Sequence, residues 1–348
     1  MWPGRKGPES ILVIRPGAMG DVLLTTPALA ALRAAFPSSK LTVLVTGSGK
    51  EMLADNPDVD EVMILDKSAW RPQVEIIGQV RRRRFDLVVD FLCNPRTAII
   101  TISSGAKVRL GYNVGLRRFA YNLVKPRDEF VDGRKVAKYA TEVNLDMVRY
   151  LGVAAESRGL RFSVGPRARA KIDAYLAESG IEVGRFVCVT PAGMWPAKTW
   201  EVEKFAALAD LLALRHGLRA VIVWGPREKH LAETMLRLMK TPGVLACETS
   251  VREAGALLEG SAVFVSNDSG LKHVAVALGT PTVTVFGPTN PKAWNPDLPK
   301  HRAVSAEVDC LGCDKNACDT MACMKELSVE RVFEVVEEVL EWTRSSRQ

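Results

Sequence analysis

The octet Ser266-Asn267-Asp268-Ser269-Gly270-Leu271-Lys272-His273 gathers a carboxylate, a hydroxyl, a bare glycine amide and an imidazole within two turns of chain. The apolar run at 262–265 reads as a buried strand, and the Asn-Asp-Ser-Gly cluster after it as the turn into a helix. A helix N-terminus offers unpaired N–H groups and a partial positive charge, which suit a diphosphate. Asp268 would repel phosphate and is better suited to accept hydrogen bonds from sugar hydroxyls. The octet therefore points to a nucleotide-sugar. Its plainer reading is an ordinary helix start, with Asp268 or Ser269 as the cap and His273 packed beside it.

Other turns offer complementary groups. Arg15-Pro16-Gly17-Ala18-Met19-Gly20-Asp21 follows the first predicted strand, and Gly17 and Gly20 let the backbone come close to a ligand phosphate. The spacing is not G-x-G-x-x-G, and no acidic ribose anchor follows the second strand, which weighs against a nicotinamide enzyme. Asp21 reads either as a helix cap or as a general base that takes a proton from a sugar hydroxyl, as inverting glycosyl transfer requires. Lys198, after a loose Gly/Pro loop, is placed to neutralise a departing diphosphate or is a surface lysine. Glu228, at the end of Trp224-Gly225-Pro226-Arg227-Glu228, is a ribose ligand or a first-turn acid. Asp58-Val59-Asp60 imitates a D-x-D metal signature but sits between Asn56-Pro57 and a strand, and reads as a polar turn.

Seven cysteines divide unevenly. Cys93, Cys188 and Cys247 are isolated and read as buried or inert. Cys310, Cys313, Cys318 and Cys323 form C-x₂-C-x₄-C-x₄-C, where four thiolates can close a structural Zn²⁺ site; free thiols, adventitious disulfides and a catalytic or iron–sulfur role are the other readings.

The elements that must position these groups alternate as strand and helix in both halves, which is the pattern of doubly wound parallel sheets. Strands are expected at 11–14, 41–45, 87–90, 186–189, 220–224, 262–265 and 282–286, and helices at 22–35, 49–54, 201–215, 228–239 and 251–259. A helix ending at Arg81-Arg82-Arg83-Arg84 takes its apolar face from Val74, Ile76, Ile77 and Val80. The pattern implies an α/β protein of two Rossmann-like domains with parallel sheets facing across a cleft, ligands lying at the C-terminal strand ends. The expected division is 1–165, 166–327 and a last helix in 328–348 that belongs to either lobe, packing back on the first domain being one of the two placements.

Net charge is +7 over 348 residues, which favours an anionic partner. Aromatic residues are only 7% and no recognition motif appears, so nucleic acid is not expected. No apolar run approaches the roughly 20 residues needed to cross a bilayer, and Met1-Trp2-Pro3-Gly4-Arg5-Lys6-Gly7 lacks a signal-peptide core. A cytoplasmic protein that binds anionic membrane weakly and in a salt-sensitive way is expected.

Taken in order, Gly20-Asp21, Lys198, Asp268-Ser269-Gly270-x-x-His273 and Phe286-Gly287-Pro288-Thr289 resemble glycosyltransferase family 9, the lipopolysaccharide heptosyltransferases, over nearly the whole chain. The resemblance implies a GT-B fold with the acceptor mainly in the N-terminal lobe and an ADP-sugar donor mainly in the C-terminal lobe. By motif match Asp21 is the catalytic base, Lys198 the phosphate-binding lysine and Glu228 the ribose ligand. Thr249 falls where the backbone meets adenine, and Asp268, Ser269, Gly270 and His273 match the sugar and diphosphate site. Pro196-Ala197-Lys198-Thr199-Trp200 looks more like the second heptosyltransferase than the first, with Gly193 and Met194 standing where the first has threonines.

The activity this implies is inverting transfer of heptose from ADP-L-glycero-D-manno-heptose to the lipopolysaccharide inner core, at the inner face of the cytoplasmic membrane, with no cofactor required for catalysis. Two alternatives stand beside it: a family member using another nucleotide-sugar or acceptor, and a non-catalytic nucleotide-sugar-binding scaffold.

Overall fold

In a computed structural model of the chain, the residues described are 7–66, 68, 70–131 and 134–346. The opening residues 1–6, read above for a leader, lie outside them. The chain forms two compact units, Met1–Ser163 and Val164–Gln348.

The first unit holds β1 (Ser10–Ile14), β2 (Lys40–Val45), β3 (Glu61–Ile64), β4 (Leu87–Asp90), β5 (Val108–Tyr112) and β6 (Leu123–Lys125), with a small antiparallel pair, β7 (Phe130–Val131) and β8 (Arg134–Lys135). Its main sheet is entirely parallel in the order β3-β2-β1-β4-β5-β6, with Ile14 beside both Leu44 and Asp90. The second unit repeats the plan with β9 (Phe186–Thr190), β10 (Arg219–Ile222), β11 (Val244–Leu245), β12 (Val263–Asn267), β13 (Thr282–Val285) and β14 (His301–Val304), ordered β11-β10-β9-β12-β13-β14. Helices cover both faces of such a sheet, so the central strands are apolar without alternation: Ile11 to Ile14 and Val187 to Val189 are fully buried. Strand order reverses between β1 and β4 and between β9 and β12, and the loops leaving these switch points open the crevices where ligands bind in this architecture.

Two local expectations change. The helix expected at 22–35 is two, Met19–Leu23 and Thr26–Ala35. The Thr25 hydroxyl donates to the Val22 carbonyl at 2.6 Å and that of Thr26 to Leu23 at 2.7 Å. Pro27 has no N–H with which to continue the first helix. In the helix Trp70–Arg83, Ile76 and Val80 are buried but Val74 faces solvent. The last helix, Val329–Ser345, falls in the second unit. Its stripe of Val332, Val335, Val336, Val339 and Leu340 packs into the second unit's core with Val283, Val285 and Val304.

Candidate active site

Lys198 is held by a scaffold laid down around Trp200. The indole is fully buried, meets Phe205 edge-on at 4.9 Å and donates from Nε1 to the Leu327 carbonyl at 3.1 Å. Asn267, the last residue of β12, ties this loop to the sheet. Its Oδ1 accepts from the Trp200 N–H at 3.0 Å, and its Nδ2 donates to the carbonyls of Pro191 and Ala192 at 3.0 and 3.1 Å. Gly193 permits the close return, because a Cβ there would lie 2.5 Å from Thr199 Oγ1. The loop end at Pro196–Lys198 winds as a short 3₁₀ turn and delivers Lys198 into the β9–β12 crevice, buried rather than on the surface.

There Lys198 Nζ donates to Asp268 Oδ2 at 2.9 Å, and the Thr289 hydroxyl donates to the same oxygen at 2.8 Å. A second ammonium completes the cluster: Lys272, wholly buried on the helix Gly270–Leu278, stands 3.5 Å from Asp268 Oδ1, with its Nζ donating to the Trp294 carbonyl and lying 5.3 Å from the Phe286 ring centroid. Burial would raise the pKa of Asp268, but the charges of Lys272 and Lys198 outweigh it and hold the carboxyl below its usual range. Burial pulls the Lys272 ammonium down to about 8, against the opposing pull of Asp268. His273 is also buried, its Nδ1 has no partner, and desolvation with the neighbouring Lys272 drives its pKa well below the ordinary histidine value, so the ring is neutral.

Asp268 is thus an ion-pair centre rather than a helix cap. Ser269 does occupy the cap position, but its hydroxyl makes no cap hydrogen bond and is buried without a partner, and Gly270 opens the helix behind it. The helix end therefore keeps its first N–H groups for a ligand. With two ammoniums to one carboxylate the cluster carries net positive charge in a crevice shielded from water, a setting that attracts phosphate strongly.

Glu228 lies at the end of the loop after β10. Its Oε2 accepts from the Gly225 N–H at 2.9 Å, while the carboxylate remains partly exposed. Thr249 lies in the loop after β11, next to Ser250, which caps the helix Val251–Gly260. The second unit thus brings Lys198, Asp268, Ser269 and Gly270 together, with His273 on the same helix, whereas Glu228 and Thr249 stand at neighbouring strand ends.

In the first unit Asp21 is the third residue of the helix Met19–Leu23, not its cap. Its Oδ1 lies 3.1 Å from an Arg15 guanidinium nitrogen and its Oδ2 accepts from the Ala18 N–H at 3.3 Å. A Cβ at Gly17 would stand 2.7 Å from Asp21 Oδ2, and Gly20 is buried inside the helix. Asp21 stays about a quarter exposed.

The sequence reading quoted Lys272, Asn267 and Thr289 within its motifs but gave them no role. Lys272 had a usable signal, since i,i+4 spacing from Asp268 puts the two on one helix face. Asp58 and Asp60 are not a metal pair. Asp58 pairs with Arg161 at 2.9 Å, and Asp60 pairs with Arg33 and accepts from the Leu41 N–H. The four clustered cysteines are all free, with Cys310 and Cys313 exposed and Cys323 buried. Burial first, and then the nearby Cys310, Cys313 and Cys318 sulfurs, raise the Cys323 pKa. Among the described residues no three His, Cys, Asp or Glu side chains stand as a ready metal ligand set. The cysteine segment is tied to the loop after β13, Gly312 N–H donating to the Gly287 carbonyl at 3.0 Å.

The profile of glycosyltransferase family 9 (heptosyltransferase) matches residues 74–324. The chain is 28% identical over 293 residues to lipopolysaccharide heptosyltransferase 3 of Escherichia coli, covering 80% of this chain and 83% of that protein. Among solved structures it is similar to a glycosyl transferase family 9 protein of Veillonella parvula (TM-score 0.82, 23% identity, 95% of this chain and 97% of the other). It is also similar to the E. coli heptosyltransferase WaaC solved with ADP (TM-score 0.71, 22% identity, 95% and 98%). Two six-stranded parallel Rossmann-like sheets, a crevice site built around Lys198 and Asp268, and a family match over most of the chain agree: the protein belongs to glycosyltransferase family 9, the heptosyltransferases, and is a glycosyltransferase of the GT-B fold.

Proposed function

We propose that the protein transfers heptose from ADP-L-glycero-D-manno-heptose to the lipopolysaccharide inner core with inversion at the anomeric carbon. The observation that carries this reading is the buried Lys198–Asp268–Lys272 cluster beside the unpartnered Ser269 hydroxyl and an open helix N-terminus. The diphosphate is met by Lys198, the Ser269 hydroxyl and the Gly270 amide, Glu228 takes the ribose hydroxyls, and the backbone at Thr249 meets adenine. Asp268 and His273 face the sugar side. Solution of a similar enzyme with ADP supports the choice of nucleotide.

The acceptor hydroxyl attacks the anomeric carbon as the bond to the ADP oxygen breaks, and its proton passes to Asp21, which first gives up the Arg15 contact. Charge developing on ADP is met by Lys198 and the helix end, and no metal is assigned to that step. The type II pattern at Pro196–Trp200 lies in the donor unit, so it says little about the acceptor. Among the described residues no helix is long and apolar enough to cross a membrane, and the reading places the enzyme peripherally where its lipid-borne acceptor lies. Calorimetry with ADP, followed by a panel of nucleotide-sugars with mass-detected product, tests it. ADP binding with turnover of ADP-heptose is expected; a protein that ignores ADP, or prefers another nucleotide-sugar, would overturn it.

A further inference from the structure

The first unit exposes an apolar face that its own core does not use. On the helix Pro95–Ser103, Ile99 and Ile102 are 54% and 51% exposed, and on the 3₁₀ helix Gly115–Ala120, Leu116 and Phe119 are 85% and 65% exposed. A single exposed apolar side chain is ordinary. Here the spacing repeats: residues three apart eclipse one another on a 3₁₀ helix and share a face on an α-helix, and these two elements pack against each other. The result is two pairs of projecting apolar tips on adjoining elements.

Charge decides what such a face meets. Every charged residue between Phe91 and Arg127 is Lys or Arg, including Arg96, Lys107, Arg117 and Arg118. The Arg118 guanidinium lies 5.0 Å from the Phe119 ring centroid, so basic and apolar groups are interleaved at the tip itself. A second copy of the chain fits this face poorly, since an isologous contact would set Arg117 and Arg118 against themselves. Nucleic acid fits poorly too, because three of the four apolar tips are aliphatic and offer no ring on which bases stack. Apolar tips rimmed by cations match the boundary of an anionic bilayer, where the tips enter the acyl region and the arginines meet lipid phosphates.

We propose that the face formed by Ile99, Ile102, Leu116 and Phe119 with Arg117 and Arg118 docks the first unit on an anionic membrane. This deepens the reading of a lipid-borne acceptor by giving the membrane a specific surface. Each basic residue near such a surface contributes roughly fivefold in binding, so the effect is readable pair by pair.

The test is sedimentation of the full chain with phosphatidylglycerol/phosphatidylcholine vesicles and with phosphatidylcholine vesicles alone. Wild type is expected to bind the anionic vesicles, less so as salt rises, and the neutral ones far less. Leu116→Ser/Phe119→Ser and Arg117→Gln/Arg118→Gln should each lose binding by tenfold or more with ADP affinity unchanged. Arg167→Gln/Arg215→Gln, an equal loss of charge at exposed sites in the second unit, should retain it. Equal loss in both arginine pairs would mean net charge alone and would overturn the proposal. So would retention in Leu116→Ser/Phe119→Ser, indifference to vesicle charge, or a wild-type dimer in light scattering that dissociates when Leu116 and Phe119 are changed. Vesicle binding without ADP binding would instead count against the proposed function and leave this face standing.

Discussion

Replacing Lys272 by Met tests the charge arithmetic of the donor site. Met fills nearly the volume of the lysine stem, so the wholly buried position stays packed and one positive charge disappears. In the native cluster Lys198 and Lys272 face one carboxylate, leaving a surplus of one positive charge; without Lys272, Lys198 and Asp268 neutralise each other at 2.9 Å. A phosphate meeting Lys198 would lie ~7 Å from Lys272, where one charge pair at an effective dielectric of ~20 is worth ~2 kcal/mol, a loss of roughly thirtyfold in ADP affinity. Titration calorimetry reads this directly. Adding Asp268→Asn restores the surplus charge through Lys198, so the double variant should regain much of the affinity although a second site residue has been changed.

The same account fixes the pH dependence. Lys272 is cationic below its pKa of about 8 and neutral above it, so wild-type ADP affinity falls as pH rises through 8 and binding takes up protons between about pH 8 and 9. The groups facing Lys272 are Asp268 and Lys198 in the cluster, His273 beside it and His301 on β14. Asp268 is held ionised, and burial keeps both histidines neutral in that window. Proton uptake should therefore vanish in Lys272→Met. Undiminished ADP affinity in the single variant, or a double variant as weak as the single, would refute the reasoning.

Asp21→Asn should lower kcat on the order of a hundredfold while ADP affinity and melting temperature hold, because the amide cannot take the proton; near-normal turnover would remove Asp21 from the chemistry. Asn267→Ala leaves the Trp200 N–H and the Pro191 and Ala192 carbonyls without their partner, and urea unfolding should show a loss of about 2–4 kcal/mol, with a change under 1 kcal/mol arguing against the lacing role. Native titration with a disulfide reagent should modify the exposed Cys310 and Cys313 quickly. Cys93 and Cys188, buried thiols pushed up to about 12, should react only after unfolding. Slow reaction at Cys310 and Cys313 that a chelator accelerates would show that the quartet holds a metal.

The strand-turn-helix unit around Asp268 was legible because its information is local: an apolar run, a polar turn and a glycine at a helix start. The partner of Asp268 was not, since Lys198 lies 70 residues away and meets it only when β9 and β12 become neighbours. Thr25-Thr26-Pro27 carried a readable break that periodicity overrode, the apolar spacing running straight through it. The last helix could be placed on either lobe, because an amphipathic stripe states that it needs a partner and not which sheet supplies one. Ser269 shows the converse: its residue type and position marked a cap, and only the folded geometry reveals a hydroxyl left free.

The most direct test of the central claim is a single-turnover reaction of purified protein with ADP-heptose and heptose-deficient lipopolysaccharide, read by mass spectrometry for the product and by NMR for its anomeric configuration. The account predicts a gain of one heptose, stoichiometric ADP and an inverted linkage, with the product lost in Asp21→Asn. No heptosylated product from a protein that binds ADP, or a product whose anomeric configuration is retained, would contradict it.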